Sequence, residues 1–361
     1  MTLAVVGGAA LLGSSLRPVD RAVVVMDGDA IVAAGPAAEV EIPPNASTIR
    51  APDLTLMPGF IDAHVHIALA RPQEVVAGGV THARDLGWSP REIWSLVERS
   101  RTRGSPGPHL SAVGQMLTVE NGYPTRAAWA PPGVGRVVQS RDDARVAVAE
   151  QADAGASAIK VALNAAVGPT LTLDVLRAIV AAARDRGLRV TAHVTGLDEL
   201  HKAIEAGVEE LAHMLMSEER IPDGTIAEMV QRSMVVVPTL SCRFGRDLEL
   251  AIDNLRRFVD AGGTVVYGTD LGNEGPRPGI DVREVEGMAA AGMPPLDIIA
   301  SGTTRAARYL GWASAGVLSP GMAADLVGVR GDPVSDARAI SDVALVIKDG
   351  VRAPEPRRSR P

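Results

Sequence analysis

Residues 57–66 read Met57-Pro58-Gly59-Phe60-Ile61-Asp62-Ala63-His64-Val65-His66, where the β-rich N-terminal pattern gives way to alternating strands and helices. An apolar run after a Pro-Gly pair predicts a short strand, and two histidines stand at its end. Side chains two residues apart in a strand point to the same side, so the imidazoles of His64 and His66 share one face. Two imidazoles on one face can bind one cation. The stretch therefore predicts a strand that ends in two ligand-type side chains, and a metal site is predicted only together with the ligand-type residues of later strands.

Short apolar runs alternate with helical segments from residue 58 to residue 310. Glycine often follows a helix, as Gly187 and Gly207 do, because it adopts the left-handed conformation found there. This alternation predicts a parallel α/β fold, and a length of about 250 residues is usual for a (β/α)8 TIM-like barrel. A last barrel helix is predicted from Pro294 to Leu310. Eight strands are predicted, beginning near Gly59, Val80, His109, Ala158, Leu188, Val208, Met234 and Thr264.

The two ends of the chain have a different pattern. Residues 1–57 and 311–361 contain short β-like runs separated by turn signals such as Lys348-Asp349-Gly350. Because both ends flank the barrel pattern, we expect a small β-sandwich domain built from both termini. Residues 1–16 lack the basic region of a signal peptide and are predicted to form strands. Residues 352–361 are rich in proline and arginine, which predicts a disordered tail.

The composition narrows the functional class. The chain has 361 residues, 46% of them hydrophobic, and a formal net charge of −7, which argues against a nucleic-acid partner. No apolar run is long enough to cross a membrane. The single cysteine, Cys242, excludes an intrachain disulfide and fits a reducing compartment. The composition thus predicts a cytoplasmic protein without a nucleic-acid or membrane partner.

Further ligand-type side chains lie on the later strands. Lys160 lies within the apolar fourth strand and is expected to face the barrel interior, where an ammonium is costly unless it is paired or modified. His193, His213 and Asp270 follow the fifth, sixth and eighth strands. Active sites of such barrels lie at the C-terminal ends of the strands. Imidazole and carboxylate ligands suit zinc or a similar divalent ion.

The sequence resembles the amidohydrolase superfamily, and within it the imidazolonepropionase-like and prolidase-like branch. The resemblance covers nearly the whole chain, and it implies a metal-dependent hydrolase that cleaves an amide-type C–N bond. Dipeptide-like substrates and cyclic amides or lactams are the substrates implied. Homo-oligomers are common in the family, so the resemblance is compatible with a homo-oligomer and leaves the oligomeric state open. Besides residues 57–66, the motifs that carry the resemblance are Gly79-Val80-Thr81-His82-Ala83-Arg84-Asp85-Leu86-Gly87, Gly268-Thr269-Asp270 and Gly321-Met322-Ala323-Ala324-Asp325-Leu326-Val327.

The resemblance also implies a role for each ligand. Lys160, carbamylated by carbon dioxide, would bridge two metal ions, and a hydroxide between them would attack the substrate carbonyl. Asp270 would take the proton and pass it to the leaving amine. The two divalent ions, expected to be zinc, would be bound by His64, His66 and Asp270 on the more buried side, and by His193 and His213 on the other.

The chain departs from the family around the expected substrate pocket. The segment between His66 and Gly78 is short, and Arg243 stands where a tyrosine is common. Arg126 or Arg243 could hold a substrate carboxylate through a bidentate pair. The candidates for substrate binding are Trp88, Tyr123, Arg126, Arg243 and Tyr267.

Two other functions stay open at this point. A mononuclear deaminase or imidazolonepropionase-type enzyme would not need the bridging Lys160. A non-catalytic small-ligand-binding protein of the same fold would show a broken ligand set, whereas all six positions are filled here. Arg84 and Asp85 are expected to form an ion pair. The histidines expected not to bind metal are His82, His109 and His201.

Overall fold

The computed structural model describes residues 1–215, 217 and 219–354. None of the helices described there is both long and apolar enough to span a bilayer. The strands are Thr2–Leu12 (β1), Arg17–Asp20 (β2), Ala22–Asp27 (β3), Ala30–Pro36 (β4), Ser47–Pro58 (β5), Phe60–Val65 (β6), Val80–Asp85 (β7), His109–Ala112 (β8), Met116–Thr118 (β9), Gly135–Val137 (β10), Ile159–Leu163 (β11), Val190–Val194 (β12), Glu210–Leu211 (β13), Val235–Val236 (β14), Thr264–Val265 (β15), Leu326–Arg330 (β16), Val343–Lys348 (β17) and Val351–Arg352 (β18). The helices are Pro72–Ala77 (α1), Pro90–Ser100 (α2), Arg141–Asp153 (α3), Leu173–Asp185 (α4), Leu197–Ala206 (α5), Asp223–Gln231 (α6), Gly245–Asp260 (α7), Val282–Ala290 (α8), Pro295–Ser301 (α9) and Thr304–Leu310 (α10).

Strands from both ends of the chain form one mixed sheet. Its order is β18-β17-β16-β5-β1-β3-β4, with β2 paired to β1. β1 and β5 run parallel, while β16 pairs antiparallel with β5. Strand β18 pairs with β17, so the predicted disordered tail does not begin at residue 352. The part of that prediction that concerns residues 355–361 lies outside the described residues.

The eight strands predicted for the barrel are all present, as β6, β7, β8, β11, β12, β13, β14 and β15. They run parallel in two sheets that also include β9 and β10, and the strand orders are β6-β7-β8 and β10-β9-β11-β12-β13-β14-β15. Backbone hydrogen bonds link the first strand to the segment after the last one. The Ala63 N–H donates to Tyr267 O at 3.0 Å, and the Asp270 N–H donates to His64 O at 2.8 Å. The result is a mixed α/β fold in which the ends of β6 and β15 are adjacent.

Strand β5 runs almost directly into β6, with only Gly59 between them. The Gly59 N–H donates to Asp325 O at 3.0 Å, and a Cβ at this position would lie 2.3 Å from Thr81 Oγ1. Glycine is therefore required where the chain passes from the terminal sheet to the parallel strands.

The predicted single helix from Pro294 to Leu310 is wrong. The chain forms two helices here, α9 and α10, separated by Gly302 and Thr303. A Cβ on Gly302 would lie 2.3 Å from the Phe60 ring, and Gly302 O accepts a hydrogen bond from Ile61 N at 2.7 Å. The break lets the backbone approach β6 closely, which a continuous helix would prevent.

Candidate metal centre

His64, His66 and Asp270 lie together at the C-terminal end of β6. One ligand atom from each lies within 4.8 Å of the others, and all three residues are buried. The Asp270 Oδ1 atom lies 3.1 Å from His64 Nε2 and 3.3 Å from His66 Nε2. Strand alternation places the two imidazoles on one side of β6, as the sequence predicts.

Backbone carbonyls fix the orientation of both rings. His64 Nδ1 lies 2.8 Å from Ala212 O, and His66 Nδ1 lies 3.1 Å from Gly87 O. Because a carbonyl oxygen only accepts hydrogen bonds, each Nδ1 carries the proton and each Nε2 presents a lone pair. Two Nε2 lone pairs and a carboxylate oxygen then converge, which is the donor arrangement of a divalent metal site.

The pKa shifts agree with a need for positive charge between these groups. Burial would lower the pKa of His66, but its hydrogen bond to Asp270 and the charge of that carboxylate outweigh burial and raise it. Burial would raise the pKa of Asp270, but the neighbouring imidazoles hold it well below its usual value. A proton or a metal ion therefore has to balance the Asp270 carboxylate.

Asp62 connects the two segments that carry these ligands. Its Oδ1 accepts from His64 N at 3.0 Å and from Thr269 N at 3.2 Å, and its Oδ2 accepts from Thr269 Oγ1 at 2.6 Å. Burial is the main reason that the pKa of Asp62 rises to about 7. Asp270 itself has a φ of 60° in the left-handed region. These contacts hold the end of β6 and residue 270 in register.

His193 and His213 form a second pair of donors beside the first three ligands. They end β12 and follow β13, and His193 Nδ1 lies 3.0 Å from His213 Nε2. Ring centroids of His64 and His213 are 4.7 Å apart, so the two histidine pairs are adjacent. The other ring nitrogen of His213 lies 2.8 Å from Thr239 Oγ1.

Asn164 completes the surroundings of His193. Its Nδ2 lies 3.3 Å from His193 Nε2, and its buried Oδ1 has no hydrogen-bond partner among the described residues. Turning the amide over would let Oδ1 accept from Nε2–H, because amide oxygen and nitrogen exchange places in that rotation. His193 Nδ1 would then be free to bind a metal ion. No sequence pattern marks Asn164 or Thr239 as part of the site.

Lys160 lies in β11 with only 1% of its surface exposed. Its Nζ has no hydrogen-bond partner within the part of the chain that the structure describes. Burial lowers the pKa of Lys160 to about 7, although the charges of Asp270 and Glu210 oppose that shift. Burial is the main cause that lowers the pKa values of His64 and His193, and the charge of Lys160 lowers them further. An unpaired buried lysine thus lies close enough to the histidines to affect them.

Arg84 pairs with Glu210 and not with Asp85, so that part of the prediction is wrong. Arg84 Nη2 donates to Glu210 Oε1 at 2.6 Å, and its Nε donates to Ala63 O at 2.9 Å. Asp85 instead accepts from the backbone N–H groups of Ile67 and Gly87. Both carboxylates therefore support the strand ends next to the histidines.

Aromatic side chains cover the histidine cluster. Tyr123 stacks on His193 with ring centroids 4.9 Å apart, and Trp129 lies 5.6 Å from the His66 ring. Trp88 stacks on Trp129 at 6.3 Å and donates from its indole N–H to Glu92 Oε2 at 2.7 Å. Trp129 was not predicted as a site residue, because it lies in a loop without a periodic pattern.

The three other candidates for substrate binding are placed differently. Arg126 is exposed, and Tyr267 is fully buried with its hydroxyl accepting from Asp281 N at 2.8 Å. Arg243 is buried, with Nη1 donating to Leu215 O at 3.2 Å and to Asp247. Only its Nε lacks a hydrogen-bond partner among the described residues. The Tyr267 hydroxyl instead bonds to the backbone at the start of α8.

Cys242 lies beside the cluster as a protonated thiol. Its Sγ donates to Thr239 O at 3.0 Å, and burial raises the pKa of the thiol to about 12. A thiolate nucleophile would need a lowered pKa. The site chemistry therefore rests on the histidines, the lysine and the aspartate.

Fold and site together define a class: α/β proteins with a candidate metal centre at the carboxyl ends of parallel strands. A model of the amidohydrolase family matches residues 55–353. The chain belongs to the amidohydrolase family, and the resemblance predicted from its motifs is confirmed.

Three related proteins illustrate the breadth of the family. An uncharacterized protein of Mycobacterium tuberculosis is 28% identical over 225 residues, and the match covers 58% of this chain and 54% of that protein. The chain thus spans about half the length of that relative. Ochratoxinase of Aspergillus niger is 25% identical, with 91% of this chain and 82% of that protein covered. Imidazolonepropionase of Deinococcus deserti is 27% identical over 44% of this chain and 39% of that enzyme.

Two solved structures share the fold over almost their whole length. A Xaa-Pro dipeptidase with bound methionine in the active site superposes with a TM-score of 0.81 at 23% identity, covering 98% of this chain and 99% of that one. A prolidase complexed with N-methylphosphonate-L-proline gives a TM-score of 0.79 at 25% identity, with the same coverage of 98% and 99%. The mixed α/β fold is therefore the TIM-barrel-type fold of these structures.

Proposed function

We propose that this chain is a binuclear metal-dependent hydrolase that cleaves an amide-type C–N bond in a small molecule. The proposal depends on one observation: donors from five strand ends converge, and the buried lysine among them has no hydrogen-bond partner among the described residues. The proposed metal ligands are His64, His66, Lys160, His193, His213 and Asp270.

We also propose the domain arrangement that such a site requires. Residues 58–310 would form a closed (β/α)8 barrel, supported by the hydrogen bonds between β6 and the segment after β15. Residues 1–57 and 311–361 would form the β-sandwich domain, supported by the sheet that strands from both ends share. Closure of the barrel places all the strand ends around one mouth.

The donor set fits two divalent cations, with zinc as the proposed metal. His64, His66 and Asp270 would hold one, and His193 and His213 the other. When bound, the ions would polarise the scissile carbonyl and lower the pKa of the attacking water. Lys160 would bridge them as a carbamate, formed when its neutral amine nitrogen bonds to the carbon of carbon dioxide and loses a proton. This modification supplies an anionic oxygen where the chain otherwise buries an unpaired amine.

Asp270 is the proposed proton carrier. It is 6% exposed, and its low pKa keeps it ionised and able to accept a proton from the attacking water. The protonated carboxyl would then donate to the amine nitrogen as the C–N bond breaks. General acid–base catalysis of this type contributes about 10²–10⁴-fold to the rate.

A dipeptide-like substrate is the first choice. The similar solved structures include a Xaa-Pro dipeptidase and a prolidase with a bound proline analogue. The rings of Trp88, Tyr123 and Trp129 would bind the apolar part of the substrate beside the histidines. Arg243 Nε has no hydrogen-bond partner among the described residues and could donate to a substrate oxygen, and the exposed Arg126 is the alternative anchor for a carboxylate.

A mononuclear imidazolonepropionase-type enzyme is the second candidate. This candidate is favoured by the close approach of His64, His66 and Asp270, since these three residues could by themselves hold one metal ion. It assigns no role to the buried Lys160, so the two candidates differ in what that lysine does.

The test combines metal analysis with a substrate panel. Zinc would be counted per chain, and hydrolysis of Xaa-Pro dipeptides, other dipeptides and cyclic amides would be followed by release of the amine. Carbamylation would be read by 13C NMR after incubation with labelled bicarbonate. The chain has only three lysines, so Lys202→Arg is a matched control that should keep the carbamate signal, whereas Lys160→Arg should lose it.

A His64→Gln, His193→Gln double variant should hold two zinc ions fewer than wild type. A carbamate that depends on Lys160, and hydrolysis that Asp270→Asn lowers at least 10²-fold, are the other expected results. Loss of only one zinc ion from the double variant, with no carbamate, would instead support the mononuclear enzyme. A metal-loaded chain that hydrolyses nothing in the panel would contradict hydrolysis of amide-type bonds.

A further inference from the structure

A second cluster of metal-ligand side chains lies at the other end of the parallel strands. His82 and His109 are paired in register near the starts of β7 and β8, and Asp325 precedes β16. One ligand atom from each of the three lies within 4.8 Å of the others. The cluster is separate from the histidines at the strand ends, because β7 runs from His82 toward Asp85 and the first centre.

The spacing of these atoms suits a tetrahedral metal ion. His82 Nδ1 lies 3.5 Å from Asp325 Oδ2, and the two imidazole centroids are 4.9 Å apart. Metal–ligand bonds of about 2.1 Å place two ligands of a tetrahedral ion about 3.4 Å apart. A small adjustment of side chains would therefore admit the ion.

Asp325 supplies an observation that points to a ligand. Its carboxylate is buried, with only 2% of the side chain exposed. Oδ1 accepts from Asp349 N at 2.9 Å, whereas Oδ2 has no hydrogen-bond partner in the described part of the chain. A buried carboxylate oxygen without a partner is costly, and a cation or a proton relieves that cost. Burial raises the pKa of Asp325 to about 6, in agreement with this shortage of partners.

The lysine near the cluster pairs with Asp349, so the negative charge of Asp325 needs another cation to balance it. Lys348 Nζ donates to Asp349 Oδ2 at 2.7 Å, and the other oxygen of Asp349 lies 2.8 Å from His109 Nε2. Lys348 is thus committed to Asp349, and a carboxylate that orients a histidine is typical of metal sites. Burial lowers the pKa of His82 to about 3, so its ring is neutral. Thr81 Oγ1 lies 3.1 Å from His82 Nδ1, and a metal ion bound to this nitrogen would replace the hydrogen bond.

The cluster has access to solvent. A cavity of about 570 Å³ is lined by His82, His109, Trp312 and Asp349, with Asp29 and Arg101 also in its wall. The His109 side chain is 25% exposed, compared with 9% for His82. An ion can therefore enter beside His109, and a water molecule can occupy its remaining coordination position.

We infer that His82, His109 and Asp325 form an additional site for a zinc-like divalent ion. The bound ion joins two neighbouring parallel strands to the segment that returns to the terminal sheet. Its effect is structural: it ties residues 80–112 to the chain just before β16. This site is independent of the proposed hydrolytic centre.

The test is a difference in metal content. The proteins compared are wild type and the variants His82→Gln, His109→Gln and Asp325→Asn. Each would be stripped of metal with a chelator and reloaded with a small molar excess of zinc. After desalting, the zinc content per chain would be measured. His201→Gln is the matched control, because His201 bonds Thr225 Oγ1 and belongs to neither cluster. Each of the three variants should hold one zinc ion fewer than wild type and control.

Folding is checked by circular dichroism. If Asp325→Asn does not fold, the partly exposed His109→Gln still decides the result. Loading with cobalt provides a second measurement. The visible absorption bands of cobalt bound by few ligands should be weaker in His109→Gln and unchanged in His201→Gln. Equal zinc content in His82→Gln, His109→Gln and His201→Gln would overturn the inference. Because only differences between variants are read, the result holds whether or not the hydrolytic centre fills.

Discussion

The Nδ1 atom of His193 lies 3.0 Å from the Nε2 atom of His213, although the two residues are twenty positions apart. Strands β12 and β13 bring them together, with Ala192 paired to Leu211. Burial lowers the pKa of His193 to about 3 and that of His213 well below its usual value. Both rings are therefore neutral at pH 7, which is the form in which imidazole binds metal ions.

The Thr239 hydroxyl should set the orientation of His213. Its Oγ1 lies 2.8 Å from His213 Nδ1, and hydrogen bonds to the second ring nitrogen typically change metal affinity 10–100-fold. We expect Thr239→Val to weaken binding of one metal ion by that factor, measured by competition with a zinc indicator. Thr239→Ser keeps the hydroxyl and should retain most of the affinity. Equal affinities for the two variants would show that the hydroxyl does not position the ring.

The metal-free protein should be destabilised at neutral pH by Lys160. Burial is the main cause that lowers its pKa from 10.5 to about 7, so between these values the unfolded chain binds a proton that the folded chain does not. Stability must then rise with pH across this range. Raising the pH from 7 to 9 should add about 2 kcal/mol to the free energy of unfolding from this group.

Lys160→Met isolates that contribution. The variant should lack the increment between pH 7 and 9, and should be more stable than wild type at pH 7 in metal-free buffer, while losing bound metal. Urea unfolding followed by circular dichroism measures both. A wild-type curve with the same pH dependence as that of Lys160→Met would contradict the assignment of a lowered pKa to this lysine.

Gly268 should be essential for the position of His64. A Cβ at Gly268 would lie 2.3 Å from Val237 Cγ1 and 3.0 Å from His64 N. We expect Gly268→Ala to displace the end of β6, to lower metal affinity and to destabilise the chain by about 1–3 kcal/mol. Gly224→Ala is the control: it has no heavy atom within 4 Å of its Cβ position and lies in helix α6. That change should be neutral or stabilising by up to about 1 kcal/mol.

Trp129 should contribute to substrate binding, and its replacement should leave metal binding unaffected. Its ring lies 5.6 Å from His66 and 6.1 Å from Tyr123, at the surface of the cluster. Trp129→Ala removes a large apolar contact worth about 1.5–3 kcal/mol, so we expect KM to rise about 10–100-fold with metal content unchanged. Trp129→Phe should show a smaller rise. A fall in bound metal would instead show that Trp129 holds the His66 ring in position.

The strands and the positions of the ligand-type side chains along them could be predicted from sequence because both depend on local patterns. Apolar residues that alternate with polar ones predict a strand. Histidines at positions i and i+2 point to the same side of that strand, wherever the strand lies in the fold. His64 and His66 are therefore predictable from ten residues of sequence. The position of Lys160 between aliphatic neighbours indicates burial in the same way.

Contacts between distant segments could not be predicted. Arg84 pairs with Glu210, 126 positions away, in preference to its neighbour Asp85. Gly302 breaks the last predicted helix because Phe60, far away in the sequence, comes close to it. Asn164 and Trp129 lie in irregular loops, where no period fixes the direction of a side chain. The approach of His82 and His109 to Asp325 could not be predicted either, because Asp325 is more than 200 positions away from both.

The short link between β5 and β6 limits how this chain can vary. Loops at the mouth can lengthen or shorten without disturbing the strands that carry the ligands. An insertion or deletion of one residue beside Gly59 would instead exchange the two faces of β6, since side chains alternate along a strand. His64 and His66 would then point away from Asp270. Changes of substrate preference, whether by natural divergence or in a laboratory library, should therefore come from the mouth loops while the length of this link stays constant.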